Sequence, residues 1–122
     1  MKQTYETGLR GEKTAEDYLQ KSSGMVCLER RYRTKAGEID LIMREGETLV
    51  FVEVKTRRNE APGMGLMAVN AAKQRRISRA AVLYLMEHHA LNLPVRFDLV
   101  EICGDQILHI PNAFQPGGIF YR

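Results

Sequence analysis

Apolar positions recur along this chain with two different periods, and the switches between them mark out the elements. From about Thr4 to Lys21 the period is helical, with Tyr5, Gly8, Leu9, Ala15, Tyr18 and Leu19 near one face and Glu6, Arg10, Lys13, Glu16, Asp17 and Gln20 mostly elsewhere. Glu12 falls on the apolar stripe, where a carboxylate needs a partner. Ser22, Ser23 and Gly24 stop the helix, and Met25 to Arg33 read as a strand. Its basic end, Arg30, Arg31, Arg33 and Lys35, is either a solvated strand edge or a phosphate-binding run.

The clearest signal lies between Gly37 and Thr56. Two runs, Gly-Glu-Ile-Asp-Leu-Ile-Met-Arg and Leu-Val-Phe-Val-Glu-Val-Lys-Thr, flank a short polar segment containing Gly46, the pattern of an antiparallel hairpin. With Gly46 and Glu47 as a two-residue turn, Asp40 lies opposite Glu53, their Cβ atoms roughly 5 Å apart. Shifting the turn by one residue pairs Asp40 with Phe51, yet strand alternation still keeps Asp40, Glu53 and Lys55 on one face. Ile42, Leu49 and Phe51 share that face; Ile39, Leu41, Met43, Val50, Val52 and Val54 cover the other. Both faces are largely apolar, so the hairpin reads as central strands covered on both sides.

After Lys55, Arg57 and Arg58 open a loop whose Pro62, Gly63 and Gly65 exclude regular structure. The longest helix is expected from about Leu66 to His89, with Leu66, Val69, Ile77, Ala80, Ala81, Tyr84 and Leu85 facing the core. Lys73 falls on the same stripe, and Arg75, Arg76 and Arg79 extend its charge. Glu87, His88 and His89 read as the helix end, since adjacent histidines point in different directions. Pro94 opens a strand with Val95, Phe97 and Leu99 on one face and Arg96, Asp98 and Val100 on the other; Gly104 and Asp105 turn the chain into a last strand ending at Pro111. Asp98 reads as a plain surface or strand-edge acid, with orienting Arg96 or capping the site as the alternative, and His109 as a packing or surface group. The tail carries Phe114, Phe120 and Tyr121, expected to dock on the body or on a second subunit.

The predicted class is α/β, a mixed five-stranded sheet in the order α-β-β-β-α-β-β, with the long helix as a right-handed crossover between parallel strands. A length of 122 residues, 44% of them apolar and 27% charged, suits a single globular domain over 1–122. No apolar stretch approaches the roughly 20 residues needed to span a bilayer, and the start lacks a signal-peptide core, so a cytoplasmic location without membrane contact is expected. Cys27 and Cys103 lack metal-ligand spacing and read as buried free thiols. A net charge of +3 permits contact with polyanions.

Charge on covered strands is costly, and two readings compete. Lys55 neutralises one acid in a structural ion network, or the two carboxylates, left net negative, ask for a divalent cation.

Glu12 on the first helix, Asp40 in Gly-Glu-Ile-Asp, and Glu53-Val54-Lys55 after twelve intervening residues resemble the restriction-endonuclease-like PD-(D/E)xK nuclease superfamily, whose nearest small analogues are Holliday-junction resolvases. The predicted element order is similar to its common core. More narrowly, the whole chain resembles the YraN-like (UPF0102-type) family of small bacterial proteins. That likeness rests on Gly8, Gly11-Glu12, Gly37 to Ile42, Phe51 to Lys55 with Arg57, Lys73, Arg76-Ile77, Arg96-Phe97-Asp98, and His109 to Phe114. No proline precedes Asp40, where the superfamily name expects one; this family commonly has isoleucine there.

The resemblance implies a restriction-endonuclease-like core and metal-dependent hydrolysis of DNA phosphodiester bonds, with branched or damaged DNA among the substrates. Asp40, Glu53 and the Val54 carbonyl would hold Mg (or Mn), Lys55 would position or deprotonate a water, and Glu12 would hold a metal-bound water from the helix side. Arg33, Arg57, Lys73 and Arg76 would fix the nucleic-acid backbone. Resolvase-like work would need two active sites and hence a homodimer. The alternatives are a non-catalytic nucleic-acid-binding protein that keeps the nuclease fold, and a structural factor whose ion network fixes the hairpin.

Overall fold

Gly46 adopts a φ of +62°, the left-handed conformation that glycine enters without a Cβ penalty, and turns the chain back within two residues. Glu45 pairs with Thr48 across it, and the ladder runs Arg44 with Leu49, Met43 with Val50, Ile42 with Phe51 and Leu41 with Val52. The expected register is therefore the observed one. The structure is a computed structural model and describes the backbone of residues 2–57 and 69–115, with side chains from Gly8 onward.

The elements are α1 (Lys2–Ser23), β1 (Val26–Arg33), β2 (Glu38–Glu45), β3 (Thr48–Arg57), α2 (Ala71–Glu87), β4 (Val95–Cys103) and β5 (Gln106–Ile110). Their strands form one five-stranded sheet in sequential order. β1, β2 and β3 are antiparallel, as are β4 and β5, while β3 and β4 run parallel, joined by the segment that contains α2. Among the described residues no helix is long and apolar enough to cross a membrane.

Helix boundaries moved. α1 includes Ser22 and Ser23 and ends at Gly24, whose φ is +66° and whose N–H donates to the Gln20 carbonyl. α2 begins at Ala71, because the Asn70 side chain accepts from the Lys73 N–H and caps the helix there. Val69 is buried but precedes the helix, and the expected Leu66 lies outside the described residues. His88 does close α2, as the sequence suggests.

The two faces of the sheet carry two cores. Ala15 and Leu19 of α1 cluster with Leu41, Met43, Val50, Val52, Val100 and Ile102 on one side. Ile77, Ala80, Ala81, Tyr84 and Leu85 of α2 cluster with Ile42, Leu49, Phe51, Phe97 and Leu99 on the other. Phe51 stacks on Phe97 with ring centroids 5.4 Å apart, and Phe97 stacks on Phe114 at 5.2 Å. Each fully buried ring of that size contributes about 3 kcal/mol from area alone. The Ala113 N–H donates to the Phe97 carbonyl at 2.7 Å, so the first part of the tail docks on the body. Phe120 and Tyr121 lie outside the described residues.

Several charged positions depart from expectation. Ile39 joins the α2-side core, not the face shared by Leu41. Arg31, which stands level with Asp40 in the β1–β2 register, has a φ of +49°, and that register shifts further up β1, between Cys27 and Glu29. Glu16, assigned by periodicity to the polar side, is buried and takes Arg30 in a bidentate pair at 2.8 and 2.7 Å. Leu9, assigned to the apolar stripe, is exposed. Cys27 and Cys103 are half-buried free thiols.

Asp98 is the largest correction. It is fully buried, and its carboxylate accepts from Arg96 Nε at 2.8 Å, Arg96 Nη2 at 2.9 Å and the Asn112 N–H at 3.0 Å, with His109 Nε2 at 2.7 Å. Arg96 also donates to Glu45 at 2.8 Å. Burial pushes the Asp98 carboxyl up, but His109, Arg96 and the Asn112 N–H outweigh it and hold it below the ordinary range. Replacing Asp98 by alanine leaves Arg96 and His109 without their shared acceptor. The expected cost is about 3 kcal/mol in urea denaturation, against less than about 0.5 kcal/mol for Arg44→Ala at an exposed position of β2.

Candidate functional site

Residues two apart on a strand share a face, so Glu53, Lys55 and Arg57 follow Phe51 onto the side that α2 covers. The neighbouring strand adds Glu101, which stands level with Lys55 in the parallel register. Asp40 enters from β2 and Lys73 from the first turn of α2. The sequence thereby brings three acids and three cations onto one patch of an otherwise apolar face.

Asp40 sits at a break in the ladder. The β2–β3 pairing, continued, would match Asp40 with Glu53 and then Ile39 with Val54, but the Val54 N–H donates to Asp40 Oδ2 at 2.8 Å. The side chain thus acts as the acceptor at that point in the ladder. Glu53, almost wholly buried, lies within hydrogen-bonding reach of Asp40. Lys73 Nζ meets Glu53 Oε2 at 2.5 Å, and Lys55 Nζ lies 3.9 Å from the same oxygen. Asp40, Glu53, Lys73 and Arg76 line a hollow of about 230 Å³, completed by Gly37, Glu38 and Ile77. A Cβ on Gly37 would lie 3.1 Å from both Cβ and the carbonyl oxygen of Arg76, so glycine there lets α2 approach the mouth of β2.

The site's electrostatics follow from burial first and from neighbouring charges second. Burial first, and then the Glu53 charge, push the Asp40 carboxyl up to about 8, with a further push from Glu12 and a counter-pull from the Val54 N–H. Burial and the adjacent Lys73 ammonium pull Lys55 below its ordinary value, against the attraction of Glu53 and Asp40. Lys73 is also pulled down by burial, but its contact with Glu53 outweighs this and its net shift is upward. Lys73 is therefore the firm ammonium of the pair, and Lys55 gives up its proton more readily.

The remaining residues singled out by sequence divide. Arg76 lines the hollow. Arg33 is 65% exposed and reaches Glu38 at 3.2 Å, which places it at the rim. Arg57 lies 3.3 Å from Glu101, itself without exposure, so the structure gives this arginine a partner inside the sheet. Glu12 pairs with Arg31 at 2.8 Å and lines a separate hollow of about 220 Å³ with Leu9, Glu16, Arg30 and Leu41. It reaches Asp40 through its charge. Glu101 was not singled out from sequence, although an acid inside Val-Glu-Ile carries the same signal that marks Glu53. Among the described residues no group of three or more His, Cys, Asp or Glu side chains is gathered as a metal cage.

Asp40 makes stability depend on pH. An aspartate in the unfolded chain loses its proton near pH 4, whereas in the folded site it keeps it to about 8. Between those values the folded state binds the extra proton, so stability falls as pH rises through the window and levels off above it. Asp40→Asn keeps an acceptor for the Val54 N–H and removes the titration. In thermal denaturation with EDTA, the variant should gain on the parent chain from pH 4 to pH 8; an equal difference at both ends would contradict this.

Comparison with known proteins gives a consistent picture. The sequence model described as "Uncharacterised protein family UPF0102" matches residues 11–102. The chain is 46% identical over 113 residues to a UPF0102 protein of Geotalea uraniireducens, covering 88% of each. It is 47% identical over 110 residues to one of Saccharophagus degradans, covering 89% of this chain and 92% of that one. A third, from Alkalilimnicola ehrlichii, is 44% identical over 114 residues, with coverages of 93% and 90%. Among solved structures, the crystal structure of SSO0001 aligns with a TM-score of 0.42 and 19% identity over 86% of this chain, which spans about half (49%) of that one. By the family match and by these relatives, the chain belongs to the UPF0102 family.

Proposed function

We propose that this protein is a metal-dependent endonuclease that hydrolyses phosphodiester bonds of DNA, built on a restriction-endonuclease-like core. One observation carries the reading: Asp40 and Glu53 stand together beside a lysine pair at a hollow, and burial, with the Glu53 charge second, pushes the Asp40 carboxyl up to about 8. Crowded carboxylates of this kind accept a hard cation in place of the proton. Magnesium is bound through one or two carboxylates with retained waters, so two acids suffice and a three-residue cage is not required. Asp40, Glu53 and the Val54 carbonyl would hold magnesium or manganese. Bound there, the ion would supply an activated water and neutralise charge on the phosphoryl oxygens.

The chain's own residues do the rest. Lys55, lowered below the ordinary lysine range, takes a proton from the attacking water more readily than Lys73 does. Lys73, Arg76 and Arg33 present cations from the hollow outward to its rim and hold the phosphate backbone. Arg57 supports the floor through Glu101, and Glu12 acts on Asp40 by its charge. Branched or damaged DNA is the proposed substrate class, with a homodimer supplying the second site for a paired cut.

A second reading is favoured by the engagement of Glu53 with Lys73: an ion network complete in itself belongs to a protein that binds nucleic acid without cutting it. Cleavage assays on single-stranded, duplex and branched DNA with magnesium or manganese separate the two. The first reading expects metal-dependent cleavage that falls by about 10²-fold or more in Asp40→Ala and Lys55→Ala while oligonucleotide binding survives. The second expects salt-sensitive binding and no cleavage with either metal.

A further inference from the structure

Lys73 occupies an unusual place for a cation. It is the third residue after the Asn70 cap, its own N–H held by the cap's side chain at 2.9 Å, at the positive end of the α2 dipole. The first turn of α2 contains no acidic residue. An ammonium there is disfavoured by the helix dipole and needs an anion close by. That anion is Glu53, the most deeply buried acid bordering the hollow, met at 2.5 Å. Lys55 stands 3.9 Å from the same oxygen, so Glu53 is neutralised from within the chain.

Resting on the metal-site reading above, we infer that Lys73 is the exchangeable counter-ion of Glu53: it fills the cation's place while the site is empty, competes with an incoming divalent ion, and is displaced when the ion binds. Among the described residues Asp40 has no ion-pair partner in contact: the Val54 N–H donates to it, Glu53 lies beside it, and Lys55 and Lys73 act on it through their charges alone. The two acids therefore differ in their resident partners, and the ammonium at Glu53 is the group that an incoming cation must displace. Displaced, Lys73 stays on a capped helix turn at the wall of the hollow, and its charge together with the amino end of α2 favours an anion such as a phosphodiester. Lys73 is a positioning residue in this scheme, acting through Glu53, and it makes the empty site self-neutralised.

The test is the affinity for Mn²⁺ alone, measured by calorimetry on the full chain without nucleic acid. Lys73→Gln should tighten Mn²⁺ about tenfold, because a contacting cation has been removed from its ligand. Lys73→Arg should restore the weaker binding. Arg79→Gln, which removes the same charge from an exposed position on the same helix, should change affinity by less than about twofold, as expected of a solvent-screened charge. Equal or weaker Mn²⁺ binding by Lys73→Gln, or equal tightening by Arg79→Gln, overturns the inference and leaves the metal site standing. Absence of Mn²⁺ binding by the parent chain and by Lys73→Gln overturns both. A second measurement needs no substitution: with lysines labelled by ¹³C reductive methylation, titration with Mg²⁺ should move the Lys73 signal to the position of a solvated lysine. A Lys73 signal that stays fixed while Mg²⁺ binds overturns the exchange.

Discussion

The hydrogen bond from the Val54 N–H to the Asp40 carboxylate is the constraint on which the rest of this structure turns. A continuous antiparallel ladder would put a backbone carbonyl in that place. Using a side chain instead ends the β2–β3 pairing at Leu41 and Val52 and frees the start of β2 from strict alternation. Ile39 can then pack under α2 while Leu41 packs under α1. Asp40 is left between the two layers, close enough to Glu53 on one side and to Glu12 on the other to feel both charges.

Two charged networks on this sheet illustrate opposite solutions to the same problem. Asp98 is enclosed by donors, and every partner it has favours its ionised form, so burial and charge coexist. Asp40 is enclosed by one donor and two other acids, and the environment disfavours its ionised form. The first arrangement fixes β4, β5 and the docked tail. The second stores an unfavourable interaction at the edge of a hollow, where it costs stability unless a cation relieves it.

Much of this was legible in the sequence because the determining signals are local. Gly46 in a two-residue turn fixes the hairpin register, which brings Asp40 beside the strand that carries Glu53 and Lys55. The stripe from Ile77 to Leu85 names the buried face of α2, and Lys73 on the same stripe was bound to reach the sheet. What the sequence hid was pairing across elements. Periodicity assigns Glu16 to solvent because it cannot see Arg30 arriving from β1, and it leaves Asp98 at a strand edge because Asn112 and His109 come from beyond the next turn. The slip of alternation at Ile39 follows from a side chain entering the ladder, which no pattern of apolar residues encodes. Glu12 showed both limits at once: its need for a partner was readable, but the choice of Arg31 over the hairpin acids was not.

The docking of Phe114 on Phe97 has a consequence for how the chain is made. Synthesis proceeds from the amino end, and β4 lies beside β3 only after the whole α2 segment has been laid down. Even then the outer side of Phe97 and its carbonyl wait for Ala113 and Phe114. Until those residues have been added, a growing chain holds a finished hairpin beside an incomplete aromatic stack. Closure of that stack is thereby left to residues that follow every strand of the sheet.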